Sequence, residues 1–153
     1  MKSETFKALK KELPKVQKNI LLKNYTTFKI GGPAEYFLIV KKDKDLIRAI
    51  KIAKKLKLPV FVLGGGSNLL VSDKGVKGLV VRIKNNDINL LKNNIILANT
   101  GTELGKLVEF SVKKSLQGLE WAGGLPGTLG GAIRGNAGAF GGEIKDIILK
   151  VEA

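Results

Sequence analysis

Apolar positions recur along this chain with changing periods, and each period predicts a different element. Over residues 4–13 isolated apolar residues alternate with charges as in a short amphipathic helix, which Pro14 stops. Residues 15–29 carry no such period and read as irregular, closing on the polar run NYTTFK. Gly31-Gly32-Pro33 is a turn, and EYFLIVK, residues 35–41, reads as a strand rich in aromatic and β-branched side chains. Leu46, Ala49, Ile50, Ala53 and Leu56 then fall on one face of a helix running to about Leu58, capped by Asp43 or Asp45 and ended by Pro59. Residues 59–63 form a short buried strand. Strand, helix and strand in that order make a βαβ unit, normally parallel and right-handed.

GLVVRI (residues 78–83) and NIILAN (94–99) predict further strands, separated by a polar turn region. Thr102 caps a helix running through Leu116, with Leu104, Leu107, Val108, Ser111/Val112 and Leu116 on its apolar face, and Gly118 suits its stop. DIILKVE, residues 146–152, predicts a last strand. With no internal repeat, this alternation of strands and helices is that of an α/β or α+β protein.

Residues 118–142 break the pattern. They hold 10 of the 19 glycines and only two charges, Glu120 and Arg134. Glycine loses more backbone entropy on ordering than any other residue, so such a segment is a linker unless something requires close approach to the backbone. A linker would be polar, whereas this one carries Leu119, Trp121, Leu125, Pro126, Leu129, Ile133 and Phe140. It therefore reads as an ordered apolar wall for a large flat or phosphorylated ligand. Phe140 is expected to pack, and Glu120, without a paired carboxylate nearby, to make a helix-to-loop hydrogen bond.

A second glycine cluster follows the strand at 59–63. Gly64, Gly65 and Gly66 offer successive unhindered N–H groups that converge on an anion, and Ser67 and Asn68 add side-chain donors. It is not a Rossmann fingerprint, because Leu69 stands where the last glycine belongs. Nor does Gly105-Lys106 make a Walker loop, with Thr100 in place of its first glycine and Leu107 in place of its hydroxyl. Gly101, in Asn99-Thr100-Gly101-Thr102, either approaches the same ligand or simply belongs to a helix cap. Two glycine-rich segments, one suited to phosphate and one broad and apolar, fit a dinucleotide.

Composition narrows the chemistry. The 153 residues allow one domain or two small lobes sharing a cleft. The absence of both Cys and His removes most zinc, iron and copper sites, thiol nucleophiles and imidazole bases. No apolar run spans a membrane and the N-terminus lacks a signal core, so the cytoplasm is the expected location. The net charge of +14 is concentrated in residues 1–60, with 16 Lys/Arg against 5 Asp/Glu; residues 61–153 hold 11 against 8. Arg48, Arg82 and Arg134 are the only arginines and aromatics make up 6%. That balance favours a solvated lysine surface over a nucleic-acid footprint, with a basic RNA-binding protein as the alternative.

The segments NYTTFKIGGPAEYF, VLGGGSNLLVSD and GLEWAGGLPGTLGGAIRGNAGAFGGEI, in that order and spacing, resemble the UDP-N-acetylenolpyruvoylglucosamine reductases, flavoenzymes that make UDP-N-acetylmuramate for peptidoglycan. The resemblance runs from about Asn24 onward. It implies an α+β, two-lobed FAD-binding domain of the PCMH/vanillyl-alcohol-oxidase type, with a βαβ lobe at about 24–84, a mixed lobe at 85–153, and residues 1–23 as a helix and lead-in. It places the FAD pyrophosphate over Gly64, Gly65, Gly66, Ser67 and Asn68, with Leu69 beside them, and the flavin ring against residues 125–139. Leu125, Pro126, Gly127, Gly130, Gly131, Asn136, Gly138 and Ala139 are the implied lining. A side chain at Gly130 or Gly131 would collide with the ring, and Asn136 offers a donor and an acceptor to its polar edge. With no histidine to tether it, the FAD is expected to be non-covalent.

The family's mechanism uses NADPH as hydride donor and a UDP-sugar as substrate. Its Tyr-Arg-x-Ser pattern, proton-donating serine and late glutamate belong to a region not present in these 153 residues, so no catalytic residue is assigned, and Arg134 has no assigned role. The expectation is the FAD-holding portion of such a reductase, with a C-terminal substrate domain absent and no nucleic-acid or membrane partner. The alternative is a standalone FAD- or nucleotide-binding module completed by a partner chain.

Overall fold

Phe37 sits at the middle of the most apolar stretch of the chain and is fully buried, and the first of two structural units is arranged around it. The computed structural model describes residues 2–152. Its units are Met1–Asn85 and Asn86–Ala153.

The first unit contains α1 (Lys2–Glu12), β1 (Gln17–Leu21), β2 (Pro33–Val40), α2 (Asp43–Lys55), β3 (Val60–Leu63) and β4 (Val76–Ile83). The sheet order is β1-β2-β4-β3, with β1 antiparallel to β2 while β2 and β3 both run parallel to β4. The expected β2-α2-β3 unit is therefore present, with β4 inserted between its strands. Period-two alternation sorts the side chains. Tyr36, Leu38, Val40, Leu79 and Val81 meet Leu9 and Leu13 of α1 and Ala49 and Ala53 of α2 on one face. Phe37, Leu63 and Val80 meet Leu22 and Val71 on the other. Each fully buried side chain of this size contributes about 1.5–3 kcal/mol of hydrophobic stabilisation.

Four details of this unit depart from the sequence reading, the first being that β3, expected to be buried, leaves Val60 and Val62 exposed and buries only Leu63. Residues 15–29, expected irregular, hold β1 and a 3-10 turn at Leu22–Tyr25. β1 is an edge strand in which only Ile20 is even half-buried, so its order comes from pairing with β2 and leaves no apolar period to read. The helix expected to reach Leu58 ends at Lys55, because Lys57 turns left-handed at φ +54° and the Leu58 N–H donates back to Ala53 O at 2.9 Å. Its cap position is Lys42, without a side-chain cap bond; Asp43 instead accepts a 2.7 Å hydrogen bond from Asn85 Nδ2.

The second unit contains β5 (Ile88–Leu90), β6 (Ile96–Ala98), α3 (Leu104–Lys113), α4 (Leu129–Gly135), β7 (Gly138–Ala139) and β8 (Gly142–Glu143). β5 pairs with β6 and β7 with β8, both antiparallel. Leu104, Leu107, Leu129, Ala132 and Ile144 form the core. Thr102 is not the cap of α3. Glu103 holds that position, because it bridges Thr128 while the Leu104 N–H donates to Gly127 O at 3.0 Å, keeping the chain extended one residue further. The helix ends at Lys113 with Lys114 as its cap, where Ser115 turns left-handed at φ +55°, rather than running to Leu116 and stopping at Gly118. The turn region at 84–94 contains β5, and the strand expected at 146–152 is absent. Residues Ile144–Asp146 make a 3-10 turn closed by a Glu143/Asp146 capping box, and the successive Ile147 and Ile148 both pack on the core, which strand alternation does not allow.

Candidate functional site

In the first unit the three-glycine loop leaves the C-terminal edge of β3, where Leu63 is register partner of Arg82 in β4. Gly64, Gly65, Ser67 and Leu69 are half-buried, Gly66 is buried and Asn68 is exposed. Gly66 has an internal reason to lack a side chain: its φ is +69°, and a Cβ there would lie 2.0 Å from the Tyr25 carbonyl oxygen. Thr27 N–H donates to Gly66 O at 3.1 Å, tying the loop to the 3-10 turn before it. Leu69 packs partly into the core beneath. Across this corner the Arg82 guanidinium lies 4.7 Å from the centroid of the Tyr25 ring, and its buried Nε has no hydrogen-bond partner.

In the second unit the glycine-rich segment is ordered, and most of its apolar residues contribute to the unit's own core. Leu119, Trp121, Leu125, Leu129 and Ile133 all pack against the unit's own core. Phe140, expected to pack, is 93% exposed at the tip of the β7-β8 hairpin, where Phe140 and Gly141 both have positive φ. A two-residue turn of that kind matches the twist of paired strands, and its outer residue points to solvent. Glu120 behaves as expected, accepting the Gly118 N–H at 2.7 Å.

The segment is clamped by the turn at 99–102. Thr100 O accepts from Gly130 N–H and Thr102 O from Leu129 N–H, each at 2.8 Å. Gly101, on that turn, is buried. Two hydroxyls beside the clamp, Thr102 Oγ1 and Thr128 Oγ1, are buried with no partner among the described residues. Such groups cost about 1–3 kcal/mol each when nothing satisfies them. Neither threonine stood out in the sequence, where Thr102 reads as an ordinary cap.

Space around each glycine separates internal from external demands. A Cβ on Gly130 would sit 2.8 Å from Thr100 Cβ, so the fold itself requires glycine there. Gly142 would strike Trp121 at 2.5 Å, and Gly138 would meet Gly142 O at 2.8 Å. Gly131 is different: it is exposed, helical, and its Cβ would meet only Thr128 Oγ1 at an ordinary 3.5 Å. Gly135, one turn on, has nothing within 4 Å. Both leave open backbone on one face of α4.

Asn136 caps α4 in the left-handed conformation and is committed on both sides of its amide. Its Nδ2 donates to Glu143 Oε2 at 3.1 Å and its Oδ1 accepts from Lys145 N–H at 3.1 Å. The expected pairing of this amide with a ligand therefore has only one N–H and one lone pair left to use. Lys145 pairs with Glu143, and that contact, followed by the Asn136 hydrogen bond, holds the Glu143 carboxyl below its usual range. An open depression of about 550 Å³ is lined by Gly138, Ala139, Gly141, Gly142, Glu143, Lys145 and Asp146. Pro126 is exposed and Gly127 half-buried at φ +126°. Among the described residues no cluster of acidic side chains is placed to hold a metal ion, and no helix is long and apolar enough to cross a membrane.

Known proteins resemble this chain over nearly its whole length. It is 44% identical to the UDP-N-acetylenolpyruvoylglucosamine reductase of Alkaliphilus oremlandii over 152 residues, 96% of this chain and 49% of that protein. The reductase of the same name from Syntrophomonas wolfei is 41% identical over 154 residues, 100% of this chain and 51% of that protein. The crystal structure of UDP-N-acetylenolpyruvylglucosamine reductase from Thermus caldophilus superposes with a TM-score of 0.71 at 38% identity, covering 84% of this chain and 44% of that one. The chain thus spans about half the length of the curated relatives it matches. The family described as FAD binding domain matches residues 34–153, taking in most of both units, and the chain belongs to that family.

Proposed function

We propose that this chain is the FAD-holding portion of a UDP-N-acetylenolpyruvoylglucosamine reductase. The observation that carries the reading is the exposed backbone of Gly131 and Gly135. A glycine inside a helix costs about 1 kcal/mol relative to alanine, and here neither crowding nor positive φ asks for one. A flat ring lying at van der Waals distance on this face supplies the missing reason, and the similarity to the reductases points to flavin as that ring.

In this reading the FAD pyrophosphate is held by Gly64, Gly65, Gly66, Ser67, Asn68 and Leu69. Gly101, Leu125, Pro126, Gly127, Gly130, Gly131, Asn136, Gly138 and Ala139 form the flavin-side set. Within that set Gly130 and Leu125 act mainly by shaping α4 and the core behind it, whereas Gly131 touches the guest. Bound non-covalently, FAD supplies hydride-transfer chemistry, with NADPH as the source and the enolpyruvyl UDP-sugar as the acceptor. The groups that hold the UDP-sugar and protonate it lie in the remaining half of the relatives' length.

The test is direct. Purified protein, as isolated or after incubation with FAD, should be yellow and should release free flavin on acid or heat treatment. A colourless protein that fails to take up FAD overturns the reading.

A further inference from the structure

We infer that Arg82 is a ligand-binding residue, a fixed cation that engages the phosphate-bearing part of the nucleotide held by the loop after β3; this rests on the proposed FAD reading for the identity of the ligand. Four observations within the first unit converge on it. The first is position. Arg82 is the register partner of Leu63, the residue immediately before the three glycines, so the arginine stands at the C-terminal edge of the parallel strands where that loop begins. Ligands of sheets with parallel strands bind at that edge.

The second is direction. Along β4 Val80 belongs to the Phe37 and Leu63 face, and Arg82, two residues on, shares that face and lies over Tyr25. The Tyr25 carbonyl in turn abuts Gly66, and the loop is bonded to Thr27. Arginine, aromatic ring and glycine loop therefore meet at one corner. Thirdly, the charge is uncompensated. Among the described residues no carboxylate lies within ion-pair distance of Arg82, its guanidinium is met by the Tyr25 ring, and its Nε is buried without an acceptor. A face-on ring contact orients the guanidinium but accepts none of its N–H groups. A planar fork with free donors, half-buried in the fold, matches two oxygens of a phosphate.

The fourth observation is choice of residue. The chain uses lysine for nearly all its basic positions, with arginine only at 48, 82 and 134. Arg48 is spent on a 3.4 Å contact with Glu12, and Arg134 is exposed on α4. Only Arg82 interrupts a buried strand, where lysine would present a point charge without the fork.

Arg82→Met and Arg82→Lys are compared with the unaltered protein by flavin-fluorescence titration with FAD at two salt concentrations, alongside thermal melting of the ligand-free forms. The expected result is FAD binding weakened roughly 10- to 100-fold in Arg82→Met, with a shallower salt dependence, and partial recovery in Arg82→Lys. The ligand-free Tm of Arg82→Met should not fall, since the change removes a buried donor with no acceptor. Unchanged FAD affinity in a folded Arg82→Met overturns the assignment while leaving the proposed function intact. So does a loss of affinity matched by a fall in ligand-free Tm and shared equally by Arg82→Lys, which marks a structural role. If the unaltered protein takes up no FAD, the proposed function fails, and inorganic pyrophosphate becomes the probe. Thermal protection by pyrophosphate that Arg82→Met abolishes then sustains the anion site, and equal or absent protection in both overturns it.

Discussion

Gly130 and Gly131 are neighbours on α4 that lack side chains for opposite reasons. Gly130 is held against Thr100 by the fold, whereas Gly131 faces open space. Alanine at 130 should therefore lower ligand-free stability by about 1–3 kcal/mol, from overpacking against Thr100. Alanine at 131 should raise it by up to about 1 kcal/mol through helix propensity. In FAD titrations the order reverses in meaning: Gly131→Ala should weaken binding despite a more stable fold, and Gly131→Val should abolish it with secondary structure retained. Chemical denaturation and flavin fluorescence on the same samples check this, and a Gly131→Val protein that binds FAD with unchanged affinity removes the flavin face from α4. Sequence shows both residues as glycine in one motif. Only the position of Thr100, thirty residues earlier in the chain and brought alongside by the clamp, tells them apart.

Elements with a period of their own were readable. α2, β2, β3 and β4 appear where their apolar spacing puts them, because each can bury a face defined by local sequence. β1, α4 and the β7-β8 hairpin were not readable, since pairing with distant strands, a clamp on the helix start, and two positive-φ residues create them. The β7-β8 region carries one pH-sensitive contact that can be followed directly. The Glu143 carboxyl is lowered first by Lys145 and then by Asn136, so its contribution is fully present above the ordinary glutamate value, ~4.3, and is lost as pH falls through the depressed folded value. An NMR titration of the Glu143 side chain should give a midpoint below that of an isolated glutamate. Lys145→Gln should move the midpoint upward, and the same midpoint in both proteins counts against the contact. Because these groups are exposed, the hairpin should loosen locally in acid without global unfolding.

At the scale of the whole molecule, the protein is two units matching about half of a longer family of enzymes. The expected consequence is a separation of binding from turnover: FAD uptake without reduction of UDP-N-acetylenolpyruvoylglucosamine by NADPH, followed as loss of absorbance at about 340 nm, a property of the reduced nicotinamide. Turnover at ordinary enzyme rates, about 1 s⁻¹ or more, would mean that these residues alone suffice for the chemistry. Fold class, the βαβ order, the two glycine clusters and the likeness to UDP-N-acetylenolpyruvoylglucosamine reductases all followed from the order of residue types, because periods, turn formers and motif spacing are local properties of the chain. Tertiary packing alone separated the glycines that the fold crowds, such as Gly66, Gly130 and Gly142, from those with open space around them, such as Gly131 and Gly135. It turned the apolar residues of the second cluster inward to make a core, left Phe140 in solvent, occupied the Asn136 amide from both sides, and set an arginine without a counter-charge beside the first cluster. Those outcomes depend on which distant atoms come within a few ångströms, a property that no local run of residues contains.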